Sequence, residues 1–523
     1  MKKILAVSLI FMTLLCGWQP ETQYLVVVDK PAGEVVQVID GKYHCIVRAS
    51  QIPDGATIKS ALPTFQALGQ FHDYAKVGKE LRELEVKYPG RCSVYDIGDS
   101  IEGRDILAIR FQPLKPAPAI LFVGEHHARE WMSVEVPMAL AKLFAENPEK
   151  DQRIEQWLSQ YDIWIVPMLN PDGHQYSIDK DRLWRKNRRP LVAAFGVDLN
   201  RNYAYKWSNM GASGNFESDI YQGADEFSEP ETQAIRNLAD NIPVFGAITF
   251  HTYGNMIIHS WNYGYEKAPY FEKLRNIGLA MAKLSGPNND SESKKTDYLY
   301  EVMEGSKLYP ASGDMCDYLY STWGAPTYTY EMTRSAGGFV NDESEIQPTV
   351  DLVVPMALEF FDALPKEFCM VYGKATDGNG NPVATDLFYK NIEFAIKTDP
   401  QTGRFHHVLP KGQGFIRYKV NGKDTILKVD FQKDTNILNL IVGKSDVFDL
   451  SGDVVDSSGQ PFKAIVSLYD QKNTEIALFK NVSHFSFKSV PSGSYILKVL
   501  GIDQVREYQI TLSRNLSITV TAN

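Results

Sequence analysis

The sequence predicts an α/β domain followed by two small all-β sandwiches. Three observations carry that reading. Apolar, strand-like runs alternate with amphipathic helical stretches up to about residue 365. Beyond Pro365 the texture changes to short strands and turns. The residues after that point also repeat themselves, in two units of about 75 residues, a length that suits a seven-stranded sandwich.

Taken in order, residues 1–18 carry Lys2-Lys3 and an apolar run from Ile4 to Leu15, the pattern of a secretory signal. The run is too short to span a membrane, and no later stretch reaches ~18 apolar residues. The expectation is therefore a secreted or periplasmic protein, with a Met-Lys-Lys-Ile start in the bacterial style. Cys16 raises the question of a lipid anchor, but Thr13-Leu14-Leu15 suits the usual small-residue lipidation context poorly. Residues 19–65 read as a short N-terminal segment with strands at 24–28 and 43–47 around Asp40-Gly41. We expect a lead-in packed on the following domain; a pro-segment is the alternative.

Residues 71–88 have helical periodicity and stop at Pro89-Gly90; 134–144 and 271–284 read as further helices. In the C-terminal part, Gly373, Asp377, Gly380 and Pro382 recur as Gly452, Asp456, Gly459 and Pro461, and Pro410-Lys411-Gly412 recurs as Pro491-Ser492-Gly493. The predicted divisions are 1–18, 19–65, 66–365, 366–445 and 446–523.

Losing residues 1–18 would remove Lys2, Lys3 and no acid, taking the formal net charge from -10 to -12. Such a balance argues against a nucleic-acid partner. The remaining Cys45, Cys92, Cys316 and Cys369 could pair in three ways, but they are scattered along the chain and read as isolated buried thiols. The sequence carries no signal for an oligomeric state.

The densest chemical signal is Gly124-Glu125-His126-His127-Ala128-Arg129-Glu130-Trp131, directly after the apolar run Ile120-Leu121-Phe122-Val123. A His and a Glu three apart at a strand exit can turn toward one zinc ion, which takes three protein ligands and a water in catalytic sites. By spacing alone His126 competes with His127 for that role. A third ligand, His251, closes the apolar run Phe245-Gly246-Ala247-Ile248-Thr249-Phe250. Other apolar runs also end on polar residues: 161–169 before Asn170-Pro171-Asp172-Gly173, Val197-Asp198-Leu199 before Asn200-Arg201-Asn202, and 327–330 before Glu331. In open α/β sheets sites form outside the carboxyl ends of strands.

His127-Ala128-Arg129-Glu130-Trp131, Trp184-Arg185-Lys186, Val197-Asp198-Leu199-Asn200-Arg201-Asn202, His251-Thr252-Tyr253, Tyr309-Pro310-Ala311-Ser312-Gly313 and Tyr330-Glu331-Met332 occur in one order. Over residues 66–365 this set resembles the zinc carboxypeptidases of the pancreatic carboxypeptidase A type. The resemblance implies a mixed β-sheet flanked by helices and one zinc ion held by His127, Glu130 and His251, which decides between the two histidines. Bound there, zinc would lower the pKa of its water from ~15.7 toward ~7. The resemblance makes Glu331 the general base and Arg185 the cation beside the oxyanion, a role worth about 3 to 4 kcal/mol. Asn200 and Arg201 match the pair that grips a substrate's terminal carboxylate. Arg129 and Tyr253 match residues lining the substrate's path, and Tyr309 the phenol that covers the bound C-terminal residue.

Arg185 lies among five Lys or Arg in residues 182–189; its basic neighbours read as a solvated face. In the side-chain pocket, members preferring C-terminal Lys or Arg carry an acid where this chain has Cys316, which favours neutral or hydrophobic side chains. Asp314, two residues earlier, is the feature that would favour basic ones. The two C-terminal units resemble transthyretin-like modules. His406-His407 has no ligand at metal spacing and reads as strand. The expected function is a zinc exopeptidase acting on peptide or protein C-termini; the rivals are a peptidase for peptidoglycan stem peptides and a binding protein with a dead enzyme-like domain. The last requires a lost ligand or base, and none is lost.

Overall fold

A computed structural model describes residues 23–522 apart from 31–33, 40–41, 49–50, 63–67, 147–151, 193, 289–296, 334–337, 378–380, 391, 393, 421–422, 443–446, 471–474, 492 and 502–503. The signal-like segment, Cys16 and Asp40-Gly41 lie outside the described residues. Strands β1 (Gln23–Val28), β2 (Glu34–Ile39), β3 (Lys42–Arg48) and β4 (Thr57–Leu62) form one sheet in the order β2-β3-β1-β4, with Val26, Val28, Cys45 and Val47 buried together.

Next come helix α1 (Tyr74–Lys87), strands β5 (Ser93–Asp99), β6 (Asp105–Phe111) and β7 (Ala119–Val123), helices α2 (Met132–Glu146) and α3 (Gln152–Gln160), strand β8 (Asp162–Val166), and helices α4 (Pro171–Asp179) and α5 (Pro230–Asn241). Strands β9 (Val244–Thr252) and β10 (Met256–His259), helix α6 (Phe271–Lys283), strand β11 (Glu301–Glu304), helices α7 (Gly305–Leu308) and α8 (Met315–Trp323), strand β12 (Thr327–Met332) and helix α9 (Ile346–Glu367) complete the domain. The eight strands run β11-β10-β12-β9-β7-β8-β6-β5. The centre, β12-β9-β7-β8, is parallel, and β6, β5 and β10 join antiparallel. Every residue of β7, β8 and β9 is buried, the pattern of strands covered on both faces. Parallel pairing brings the carboxyl ends of β7, β9 and β12 side by side, and Glu331 stands in register with His251. Val197-Asp198-Leu199, read as a strand, is instead the lead into a single 3-10 turn, Leu199–Arg201, because the Asp198 side chain accepts the Asn200 N–H and caps it.

Two sandwiches follow. The first holds β13 (Phe368–Thr376), β14 (Asp386–Tyr389), β15 (Ile396–Lys397), β16 (Arg404–Pro410), β17 (Gly412–Val420), β18 (Lys423–Phe431) and β19 (Thr435–Ile441). The second holds β20 (Val447–Val455), β21 (Ala464–Tyr469), β22 (Glu475–Val482), β23 (His484–Pro491), β24 (Gly493–Leu500), β25 (Val505–Leu512) and β26 (Leu516–Thr521). Their sheets, β16-β13-β19 with β15-β14-β17-β18 and β23-β20-β26 with β22-β21-β24-β25, have one topology. The repeated residues do the same work twice. Gly373 and Gly452 face Phe405 and Phe485 on the neighbouring strand, and a Cβ on either would strike that ring. Asp377 and Asp456 accept the N–H four residues on, and Pro382 and Pro461 bridge back to Thr376 and Val455.

The first sandwich shares the core of the α/β domain through Phe368, Met370 and Val408. His406 stacks on Trp323 with ring centroids 4.7 Å apart, and Gly324, at φ +67, ends α8 where a Cβ would strike the Val408 carbonyl. His406 and His407 are strand residues in this contact, and among the described residues neither belongs to a group that could hold a metal. All four described cysteines are buried, and none of them is in a disulfide.

Gly452→Ala should place a methyl 2.6 Å from the Phe485 ring and against the Ile518 carbonyl. A loss of about 1 to 3 kcal/mol is expected for such overpacking, read as a lower denaturant midpoint for the last sandwich.

Candidate metal centre

The turn after β7 builds the centre. Gly124 passes so close to the Ser133 and Pro167 carbonyls that a Cβ would meet both within 2.5 Å. Glu125 then takes a left-handed conformation, φ 57, and sends the chain back over the sheet. Its buried carboxylate accepts from Ser133 Oγ at 2.7 Å and pairs with His174 Nδ1 at 2.7 Å, which holds the turn in place.

His127, Glu130 and His251 converge, each offering one ligand atom, with those atoms all within 4.8 Å of one another. His127 Nδ1 lies 2.8 Å from Glu130 Oε1, and His251 Nδ1 lies 3.0 Å from Glu130 Oε2 and 3.1 Å from His127 Nδ1. The opposite nitrogens are already engaged: His127 Nε2 with Asp198 Oδ1 at 3.2 Å, His251 Nε2 with Thr249 Oγ1 at 3.2 Å. An ionised carboxylate only accepts, so Asp198 keeps the His127 proton on Nε2 and leaves the Nδ1 lone pair facing the centre. Two lone-pair nitrogens and a carboxylate at this spacing fit a zinc ion. His126, the rival by spacing, is not part of the group: its Nε2 meets Tyr203 Oη at 2.9 Å and its Nδ1 meets Thr249 Oγ1 at 3.1 Å. Burial, then the charges of His251 and His127, push its pKa well below the ordinary value.

Glu331 is partly exposed on β12 beside this group. Burial, then the Glu130 charge, push its carboxyl up to about 8. A dication at the neighbouring site acts against that shift. Burial would raise Asp198 as well, but Arg185, Arg201 and His127 hold it well below the usual carboxylate range. Arg185 donates from Nε and Nη2 to Asp198 Oδ2 at 3.0 and 2.9 Å, with Nη1 4.0 Å from Glu130 Oε1.

Arg201 donates from Nε to the Gly211 carbonyl at 2.7 Å and from Nη1 to the Asn200 carbonyl at 2.8 Å, while Asn200 Oδ1 accepts the Met315 N–H at 3.1 Å. Arg129 is buried with its guanidinium 4.0 Å over Phe339, and Tyr253 packs edge-on against the same ring at 5.1 Å. Tyr309 is partly buried beside Met256, Ile258 and Leu308. Cys316 Sγ meets Thr329 Oγ1 at 3.1 Å, and burial drives its thiol pKa well up. Asp314 caps α8 by accepting the Asp317 N–H at 2.7 Å and also accepts from Asn262 Nδ2; burial pushes it up to about 6.

The basic run is not a solvated face. Arg182 lies buried 3.7 Å over Trp131, Arg188 lies 3.6 Å over Tyr176, Lys186 donates to the Phe216 and Ser218 carbonyls, and Arg189 pairs with Glu229 at 3.0 Å. Aromatic faces and carbonyls distant in sequence absorb these charges, which local composition does not reveal. Asp198 was not singled out by sequence either; its place in the Asn200-Arg201 motif is the signal that was there to use.

The family model for zinc carboxypeptidase matches residues 77–354. Carboxypeptidase B of Astacus astacus is 30% identical over 290 residues, 53% of this chain and 92% of that protein. Metallocarboxypeptidase A of Arthroderma otae is 34% identical over 303 residues, 55% of this chain and 69% of that protein. Among solved structures, bovine thrombin-activatable fibrinolysis inhibitor matches with a TM-score of 0.51 at 27% identity, covering 57% of this chain and 98% of that one. Carboxypeptidase A of Helicoverpa armigera matches in fold with a TM-score of 0.56 at 23% identity, covering 66% and 97%.

Asp198→Asn should unseat His127 and weaken zinc binding about 10- to 100-fold, measured by competition with a chelator.

Proposed function

The chain belongs to the zinc carboxypeptidase family and is a metal-dependent hydrolase of peptide C-termini; from that premise we propose an exported enzyme that releases single residues, with a hydrophobic or broad preference. The observation that carries the catalytic reading is the convergence of His127, Glu130 and His251 beside Glu331. Zinc held there supplies a water of lowered pKa and a Lewis acid for the scissile carbonyl. Glu331 takes the proton from the attacking water onto its carboxylate and passes it to the leaving amine. Arg185, fixed by Asp198, puts a cation where the oxyanion develops. Arg201 and Asn200 receive the substrate's terminal carboxylate, with Arg129 and Tyr253 along the substrate's path and Tyr309 as the cover.

The neutral preference rests on Cys316 and Thr329 at the pocket floor. Asp314, the residue that would favour a basic substrate, is spent on the α8 cap and Asn262. Lys2-Lys3 and the apolar run after it support export. Among the described residues no helix is long and apolar enough to cross a membrane. The two sandwiches read as transthyretin-like modules on their repeated motif.

Mass spectrometry of peptides differing only at the last residue, with C-terminal amides as controls, tests the proposal. Loss of one residue confined to free carboxylates, fastest for apolar ends, is expected; trimming of amides would overturn it. Glu331→Gln should keep zinc and lose most turnover, and undiminished turnover would remove Glu331 as the base. His251→Ala should lose the metal itself, seen as zinc content after dialysis, because two protein ligands remain.

A further inference from the structure

The two sandwiches share a topology but treat the same edge differently. In the first, the edge between β15 and β16 is plugged by the α/β domain: Tyr270, Tyr320 and Gly324 press against Phe394, His407 and Val408, leaving a void of only about 10 Å³. In the second, the matching edge between β22 and β23 meets the first sandwich instead and keeps a cleft of about 130 Å³. That is close to the size of an engineered apolar cavity, about 150 Å³, that takes up benzene. Phe388 and Ile392 wall it on one side; Leu468, Ile476, Phe479 and Phe487 wall it on the other.

A buried charge faces this apolar space. Arg417 lines the cleft from β17, is 8% exposed, and lies 5.2 Å from the Phe388 ring. Its Nε is buried with no hydrogen-bond partner among the described residues. Asp424 and Asp470 act on it through their charge, and Asp424 is engaged with Lys419, at 3.9 Å, and with Tyr495. A buried guanidinium with an unmade bond is costly, and its planar fork fits a carboxylate. Lys488, on the rim, is already paired with Asp449 at 2.9 Å.

We propose that the cleft between the sandwiches is a binding site for a small carboxylate with an apolar tail, its carboxylate on Arg417 and its tail between Phe388, Ile476 and Phe487. The site is separate from the metal centre and does not depend on the peptidase reading. A primary amine with the same tail is excluded, because it would bury an ammonium beside the guanidinium.

The test uses the full zinc-loaded chain, 4-methylpentanoate as probe and 4-methylpentan-1-amine as control, with hydrogen exchange read by mass spectrometry to locate binding. The acid should slow exchange across residues 475–491, and the amine should not. Arg417→Met should weaken that protection at least tenfold, and Arg417→Lys, which keeps charge but not the fork, should weaken it too. Ala477→Trp should fill the cleft and abolish protection there, while unchanged exchange in β13 and β20, the central strands of the three-stranded sheets of the two sandwiches, confirms that each variant is folded. Protection confined to the α/β domain would show the acid in the substrate pocket alone and overturn the proposal. So would equal protection by the amine, or protection unchanged by Arg417→Met.

Discussion

One buried carboxylate organises the catalytic half of the molecule. Asp198 Oδ1 meets His127 Nε2 and the Asn200 N–H, while Oδ2 takes two N–H groups of Arg185. A ligand to the metal, a cation for the developing oxyanion and the turn that carries Asn200 and Arg201 are thus fixed by the same group. Withdrawn from water, such a carboxylate is tolerable only when its lone pairs are filled and its charge is met. Arg185 and Arg201 meet the charge and hold it ionised. An ionised acceptor in turn dictates the His127 tautomer, so the Nδ1 lone pair is turned toward the centre by the protein itself.

The second imidazole is braced by a longer path. His251 leans on Thr249, which touches His126, which touches Tyr203. With a cation on Nδ1, His251 donates from Nε2 to Thr249 and the chain of hydrogen bonds runs outward from the centre. Both imidazoles then present unprotonated nitrogen inward without a charged residue having to move. The parallel register of β7, β9 and β12 makes this possible, since it brings three strand ends to one edge of the sheet.

Much of this was legible in the sequence, and the reason is locality. His127 and Glu130 share one turn, and His251 and Glu331 each finish an apolar run, so short motifs carry them. Gly373 and Gly452 were visible as a repeat because an equivalent ring, Phe405 in one sandwich and Phe485 in the other, lies across each. Interactions that close over long stretches of chain were not legible. Asp198 lies 71 residues from His127, and Arg182 reaches Phe339 across 157. Residues 182–189 therefore looked like a solvated face, although aromatic rings and carbonyls take up their charge. Asp198 also misled locally, since an apolar-flanked acid resembles a strand end until its side chain is seen capping the next turn.

The junction at Glu367 and Phe368 has a mechanical meaning. Helix α9 ends at Glu367 and β13 begins at Phe368, with no residue between them outside regular structure. A hinge needs backbone dihedrals free to turn, and here both neighbours are held, by a helical ladder on one side and a sheet ladder on the other. The Lys273–Glu367 ion pair at 2.8 Å and the Trp323–His406 stack brace the joint from two further directions. The first sandwich is therefore a fixed outrigger, not a tethered bead. Its bearing relative to the metal centre is set by the fold and not by the length of a linker.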